Sequence, residues 1–261
     1  MRFRLGGWAV AGVLVLTGCG VDGQDEHASP TADADPRSEL ADPELVSARD
    51  TLPPAPSSAT ALTLLLTHAG GAADAGLDAA AGALAQRPDV RVVVVVSGTP
   101  TGDAATMSGF PVTIIDAPAD ALVAGAVEAT GVTPDLVVVG IDGTSTLGGP
   151  EPIASAAAAA GTPALVVEAE AGEAVDHAAA AMQLLEVLDL QLDALLDEPA
   201  AVHRLTVPSC RTGSLRGRLD VRPTGPTTPL AASDCTTTDR TVPADELAAV
   251  GAGYAALTRL P

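Results

Sequence analysis

RVVVVV, residues 91–96, is an arginine followed by five valines. Consecutive β-branched side chains favour extended backbone. A strand that is apolar on both faces has to be covered on both, which places it inside a parallel sheet. The same rhythm continues in both directions. Upstream, residues 61–67 (ALTLLLT) form another short apolar run ending at a Gly-containing loop, and the Ala/Leu-rich stretch 76–86 between the two runs reads as a helix. Downstream, 112–115 reads as a short strand, 118–130 as a helix, 135–141 (DLVVVGI) as a strand, 152–160 as a helix and 164–168 as a strand. A long amphipathic helix is predicted over 173–196, with Met182, Leu185, Leu188 and Leu192 on one stripe. Alternating strands and helices imply an α/β fold, a Rossmann-like parallel sheet with helices on both faces. Ligands of such sheets bind beyond the carboxyl ends of the strands. The functional case therefore rests on loops 67–71, 97–105 and 140–149.

The 261 residues suit one large domain once the two ends are set aside. Only 2% of them are aromatic against 47% hydrophobic, so the core must come from Val, Leu, Ile and Ala. Many modest contacts then supply the burial, at roughly 25 cal/mol per Å². All 13 basic residues are arginines, and this usage, with abundant Ala, Val, Gly and Pro, is what a GC-rich genome encodes. A formal charge of −20 argues against a nucleic-acid polymer as partner. Arg204, Arg211, Arg216, Arg218 and Arg222 fall close together and read as a solvated basic face, the alternative being an anion-binding patch.

Residues 1–20 (MRFRLGGWAVAGVLVLTGCG) have a positive start and then an apolar run too short to span a bilayer comfortably. Leu16-Thr17-Gly18-Cys19 resembles a bacterial lipobox, which makes Cys19 the lipidation site. The expected organisation is a lipoprotein signal peptide over 1–19, a disordered acidic and Pro-rich tether over 20–58, and the α/β domain over 59–261. The expected location is the outer face of the bacterial cytoplasmic membrane, held there by the lipid. Two cysteines remain, Cys210 and Cys235, and in an oxidising compartment they read as a disulfide. Two buried free thiols are the alternative.

The crest loops carry a further pattern. Leu65-Leu66-Thr67-His68-Ala69-Gly70-Gly71 stands where the SurE (survival protein E) family has L-L-T-N-D-D-G. Asp116-Ala117-Pro118-Ala119-Asp120 resembles its G-T-P-A-D. The segment from Pro134 to Gly148 follows P-D-L-V-V-S-G-I-N-x-G-x-N-x-G, and Gly161-Thr162-Pro163-Ala164 is similar to G-I-P-A. Leu205-Thr206-Val207-Pro208 resembles N-V-N-V-P, and residues 253–260 resemble the closing G-Y-V-S-V-T-P-L. In this order, over residues 61–260, the chain resembles the SurE family of metal-dependent nucleotidases and phosphatases. The resemblance implies a SurE-like fold with a small carboxyl-terminal β extension. It also implies a divalent cation, Mg²⁺ or Mn²⁺, held by two adjacent aspartates, a serine and an asparagine. That cation would polarise a phosphate ester and activate a water.

The implied ligands are largely erased. Ala69 and Gly70 replace the paired aspartates, His68 the preceding asparagine, Asp142 the metal-binding asparagine, and Thr146 and Thr144 stand for a later Asn and Gly. Asp103 or Ser108 could stand for the serine, and the phosphate-receiving Y-S-G-T-V segment is largely deleted between Gly148 and Ile153. Hard cations want carboxylate oxygens, so no metal and no cofactor are expected, and no catalytic residue is assigned. His68 reads as a polar loop residue and Asp142 as a turn residue before Gly143; a divergent metal site would use these two, with Asp103. Asp74 and Asp78 read as solvent-facing, Asp74 as a helix N-cap. Thr67, Gly71, Asp103 and Thr144 are the candidate ligand-loop residues. The expectation is a catalytically degenerate SurE-like lipoprotein that binds a small molecule or a protein. The alternative is a divergent phosphatase acting on phosphate monoesters such as nucleoside monophosphates. The resemblance also leaves a homodimer open, although the arm over 206–241 is shortened.

Overall fold

A computed structural model describes residues 61–68, 74–98, 105–147, 151–172, 174–225 and 228–261. The signal segment 1–19 with Cys19, the tether 20–58, and Ala69, Gly70, Gly71 and Asp103 lie outside the described residues. In chain order the strands are β1 (Leu62–His68), β2 (Val90–Ser97), β3 (Ala105–Met107), β4 (Phe110–Ile115), β5 (Leu136–Thr144), β6 (Thr146–Leu147), β7 (Ala164–Glu170), β8 (Val202–Val207), β9 (Arg218–Asp220), β10 (Thr228–Pro229) and β11 (Ala255–Leu260). The helices are α1 (Ala75–Leu84), α2 (Leu122–Thr130), α3 (Pro152–Ala159), α4 (His177–Leu196) and α5 (Glu246–Gly251).

Nine strands make one sheet in the order β3-β4-β2-β1-β5-β7-β8-β11-β9. From β4 to β8 every pairing is parallel, while β3 and β11 run antiparallel to their neighbours β4 and β8. The expected Rossmann-like α/β architecture is therefore present. Strand alternation divides the core. Leu64, Leu66, Val94, Val138 and Leu165 face α1 and α4, whereas Leu65, Val95, Val137, Val139 and Val166 face α2 and α3. Helix ends follow their side chains: Asp74, Glu151, Asp176 and Asp245 accept N–H bonds as N-caps of α1, α3, α4 and α5. Gly131, at φ 66°, closes α2.

Of the stripe expected on the long helix, Leu188 is buried and Leu185 and Leu192 pack against the core, but Met182 does not. Met182 is 60% exposed, and the buried residues of α4 are Ala180, Ala181, Gln183, Leu184, Val187, Leu188 and Leu195. The helix starts at His177 rather than Glu173 because Asp176 caps it there. Among the described residues no helix is long and apolar enough to cross a membrane.

Beyond β8 the carboxyl-terminal extension has little regular structure and is held by specific bonds. Cys210 and Cys235 form a disulfide with a Cα–Cα distance of 5.7 Å. The buried carboxylate of Glu170 accepts the backbone N–H groups of Ser209 and Ser233, each at 3.0 Å. The five clustered arginines do not form one solvated face. Arg204 is 1% exposed and forks onto Glu246 at 2.8 and 2.6 Å, with the Thr206 hydroxyl donating to the same carboxylate. Arg216 lies 4.5 Å over the Tyr254 ring. Glu246→Ala would leave the Arg204 guanidinium buried without its anion, so a loss of about 3–5 kcal/mol is expected in urea denaturation. Replacing both Arg204 and Glu246 by leucine should cost much less than that.

Candidate functional site

Strand order reverses between β1 and β5, and this is where an α/β sheet opens a crevice at its carboxyl edge. His68 is the last residue of β1, and Asp142 lies near the end of β5. Two glycines bring a third side chain to them. Gly140, at φ 111°, carries a bulge that shifts the register between Val139 and Asp142, so Asp142 pairs with Glu168. A Cβ at Gly140 would meet the Val167 carbonyl oxygen at 2.3 Å. A Cβ at Gly76, in the first turn of α1, would fall 1.9 Å from the Ile141 carbonyl oxygen, so only glycine lets α1 press against β5 there. That contact carries the N-cap of α1 to the crest. Asp74 Oδ1 accepts the N–H groups of Gly76 and Leu77, and Asp74 Oδ2 faces His68 Nδ1 at 3.9 Å.

His68 Nε2 meets Asp142 Oδ1 in a short contact, and one ligating atom from each of His68, Asp74 and Asp142 lies within 4.8 Å of the others. The hydrogen bond to Asp142 raises the His68 pKa. Burial opposes it, and the charges of Asp142, Asp74 and Glu151 add to the rise. Two more acids approach from the α3 side. Desolvation raises Glu151 above its ordinary value. It also pushes Glu168 up to about 7; Arg204 pulls that value back, and Glu246, Asp142 and Glu151 raise it. Glu168 Oε2 is buried with no hydrogen-bond partner, as is the hydroxyl of Thr67, which is 0% exposed.

Two expectations are corrected. His68 is a buried strand residue and not a loop residue, and Asp142-Gly143 lies inside β5 rather than in a turn, because the bulge prolongs the strand's pairing with β7 to Thr144. Asp74 is the N-cap expected, but it also turns one oxygen toward the site. Thr144 is committed locally, with its hydroxyl donating to the Thr146 carbonyl at 2.7 Å. Ser108 sits in the β3–β4 turn and donates to Asp78, so it does not join the cluster. The sequence reading missed Asp74 as a site residue and missed Glu151 and Glu168 altogether. The signal for Glu168 was a charged residue closing an apolar run, Ala164-Leu165-Val166-Val167, that cannot expose it fully.

No family model matches the sequence, and no curated protein does. Among solved structures the chain is similar to the SurE protein from Aquifex aeolicus, at 21% identity and a TM-score of 0.55, over 76% of this chain and 92% of that one. The fold is SurE-like. The hard divalent cation that the resemblance implies fits the donor set poorly. Of the three converging side chains one is an imidazole, and its Nε2 already contacts the carboxylate of Asp142.

The raised groups set a pH dependence. Glu168 keeps its proton in the folded state and loses it in the unfolded one between about pH 4.5 and 7, so stability falls as pH rises through that window. His68 acts in the same direction. Its contribution is present below the ordinary histidine value and is lost as pH rises through its raised value. Urea midpoints should therefore climb as pH is lowered from about 8 to 5. Glu168→Gln should flatten the lower part of that slope and His68→Gln the upper part.

Proposed function

We propose that this protein is an exported, lipid-anchored member of the SurE-like fold whose crest no longer performs nucleotidase chemistry and serves as a binding or interaction module. The contact between His68 and Asp142 carries this reading. An imidazolium against a carboxylate supplies, from the chain itself, the positive charge that a bound cation would otherwise bring. Two further features support it: Ala69 and Gly70 in place of two ligating aspartates, and an amino-terminal lipobox ending at Cys19. The ligand would be a small molecule or a protein segment reaching the β1–β5 crevice, with the tether holding the domain off the outer face of the cytoplasmic membrane.

Purified protein assayed with nucleoside monophosphates and a generic phosphate ester, with Mg²⁺, Mn²⁺, Zn²⁺ or Co²⁺ present, should show no turnover above background. A second reading, a divergent metal-dependent phosphatase, is favoured by the convergence of His68, Asp74 and Asp142 within 4.8 Å. In that case one of the metals would raise the melting temperature and support turnover abolished by Asp142→Ala, and the proposal would fall. For the anchor, Cys19→Ala should release the protein from the membrane fraction and remove its labelling by a radioactive fatty acid.

A further inference from the structure

At the amino edge of the parallel strands, away from the crest, three neighbouring strands place charged side chains around one groove. Arg259 of β11 is in register with His203 of β8, and Leu257 with Asp220 of β9. Leu205 and Leu257 pack into the core beneath α4, so His203 and Arg259, each two residues away, lie on the same face. β9 follows β11 only as far as Leu257, and Arg222 bridges to Asp245 instead. The chain thereby leaves a groove of about 490 Å³, lined by His203, Asp220, Arg222 and Arg259 with the apolar Val221 and Pro243. Its charges are unequally answered. Asp220 accepts from Gln191 Nε2 at 2.9 Å and faces Arg218 Nε at 3.9 Å. Arg259 meets Glu198 through Nε at 2.9 Å, which leaves its Nη donors for a ligand. Four of the five arginines clustered in the sequence are engaged: Arg204 with Glu246, Arg211 beside Gly172, Arg216 over Tyr254 and Arg218 with Asp220. Arg222 is the exception. It is exposed, and its side chain has no hydrogen-bond or ion-pair partner among the described residues.

We infer that this groove binds a small organic anion, holding its carboxylate or phosphate group between the guanidinium groups of Arg222 and Arg259. His203 begins β8 whereas His68 ends β1, so the groove is separate from the crest and independent of the reading given for it. A guanidinium fork matches the paired oxygens of either anionic group and makes charge-assisted hydrogen bonds to them. The volume falls in the range of small-molecule sites, and Val221 and Pro243 offer apolar surface to the rest of the ligand. The chain as a whole carries −20, so the attraction acts at short range, where these two side chains outweigh the distant acids. His203 reports on the site from its wall. Burial holds its pKa below the ordinary value, against the charges of Glu198 and Asp220 and together with that of Arg259, and an anion bound alongside raises it.

Titration of the full-length protein with succinate and with glycerol phosphate, followed by calorimetry and by the histidine ring signals in NMR spectra, tests the inference. The chain has four histidines, so each ring can be followed by itself. One or both anions should bind, shift the His203 signals and move the His203 titration to higher pH, with the His68 signals unmoved. Binding of succinate alone would assign the groove to carboxylates, and of glycerol phosphate alone to phosphates. Uncharged glycerol should not bind. Arg222→Gln and Arg259→Gln should each weaken anion binding about tenfold, the scale of one lost charge-assisted hydrogen bond. Thermal melts of both variants would show that they remain folded. Absence of binding by both anions would overturn the inference, as would affinity unchanged in folded Arg222→Gln. Shifts at His68 in place of His203 would overturn it too, by putting the anion at the crest.

Discussion

An imidazole held against a carboxylate joins the ends of β1 and β5, the two strands between which the sheet reverses its order. Everything at the crest is arranged around that contact. Gly140 lets β5 bulge and brings Asp142 into register with Glu168, and Gly76 lets α1 come close enough to bring Asp74 to the other ring nitrogen of His68. Neither glycine is accounted for by a turn. Each marks a place where backbone lies where a side chain would otherwise be.

The charge arithmetic of the crest is consistent with the SurE resemblance without requiring its metal. Two aspartates and a divalent cation cancel, and so do a protonated His68 and Asp142. His68 and Asp142 occupy the two asparagine positions of the resemblance, so an ion pair stands where the resemblance implies part of a metal cluster. The pair is cheap to keep because it is only partly desolvated: the His68 side chain is 11% exposed but that of Asp142 is 42%. A fully buried pair depends more on its partners, as Arg204 and Glu246 do with a bidentate fork and the Thr206 hydroxyl.

The fold was legible because it is written in short-range pattern. Five consecutive valines at 92–96 admit one conformation and one kind of neighbourhood, and the Ala/Leu-rich stretches between strands admit one packing partner. The site was legible only where residues sit at motif positions: His68, Asp142 and Thr67 could be named from the loops. Asp74 could be read as a cap but not as a ligand-facing oxygen, because its second role depends on how near α1 approaches β5. Glu168 was invisible for the same reason. Its neighbour Asp142 lies on another strand, and the one-residue bulge that aligns them changes which residues share a face. On α4 only Met182 was misplaced: Leu185, Leu188 and Leu192 do pack on the core, but the buried face is centred on Leu184 and Leu188 and leaves Met182 at its edge, exposed.

Glu168 and Glu246 make the instructive comparison. Both are glutamates on the α3 side of neighbouring parts of the fold, and both lie near Arg204. Glu246 has every oxygen answered, by a guanidinium, a hydroxyl and a backbone N–H. Glu168 has a buried oxygen answered by nothing, although an apolar residue in its place would continue the run of Ala164 to Val167 without loss. A fold selected for stability alone removes such a group, since an unsatisfied buried acid weakens it. Local inconsistency of this kind concentrates where a chain does something besides fold. Thr67 repeats the pattern two strands away, at the end of β1, on the same side of the sheet. Thr67 and Glu168 are thus two polar groups on one side of the sheet that the fold itself leaves unanswered.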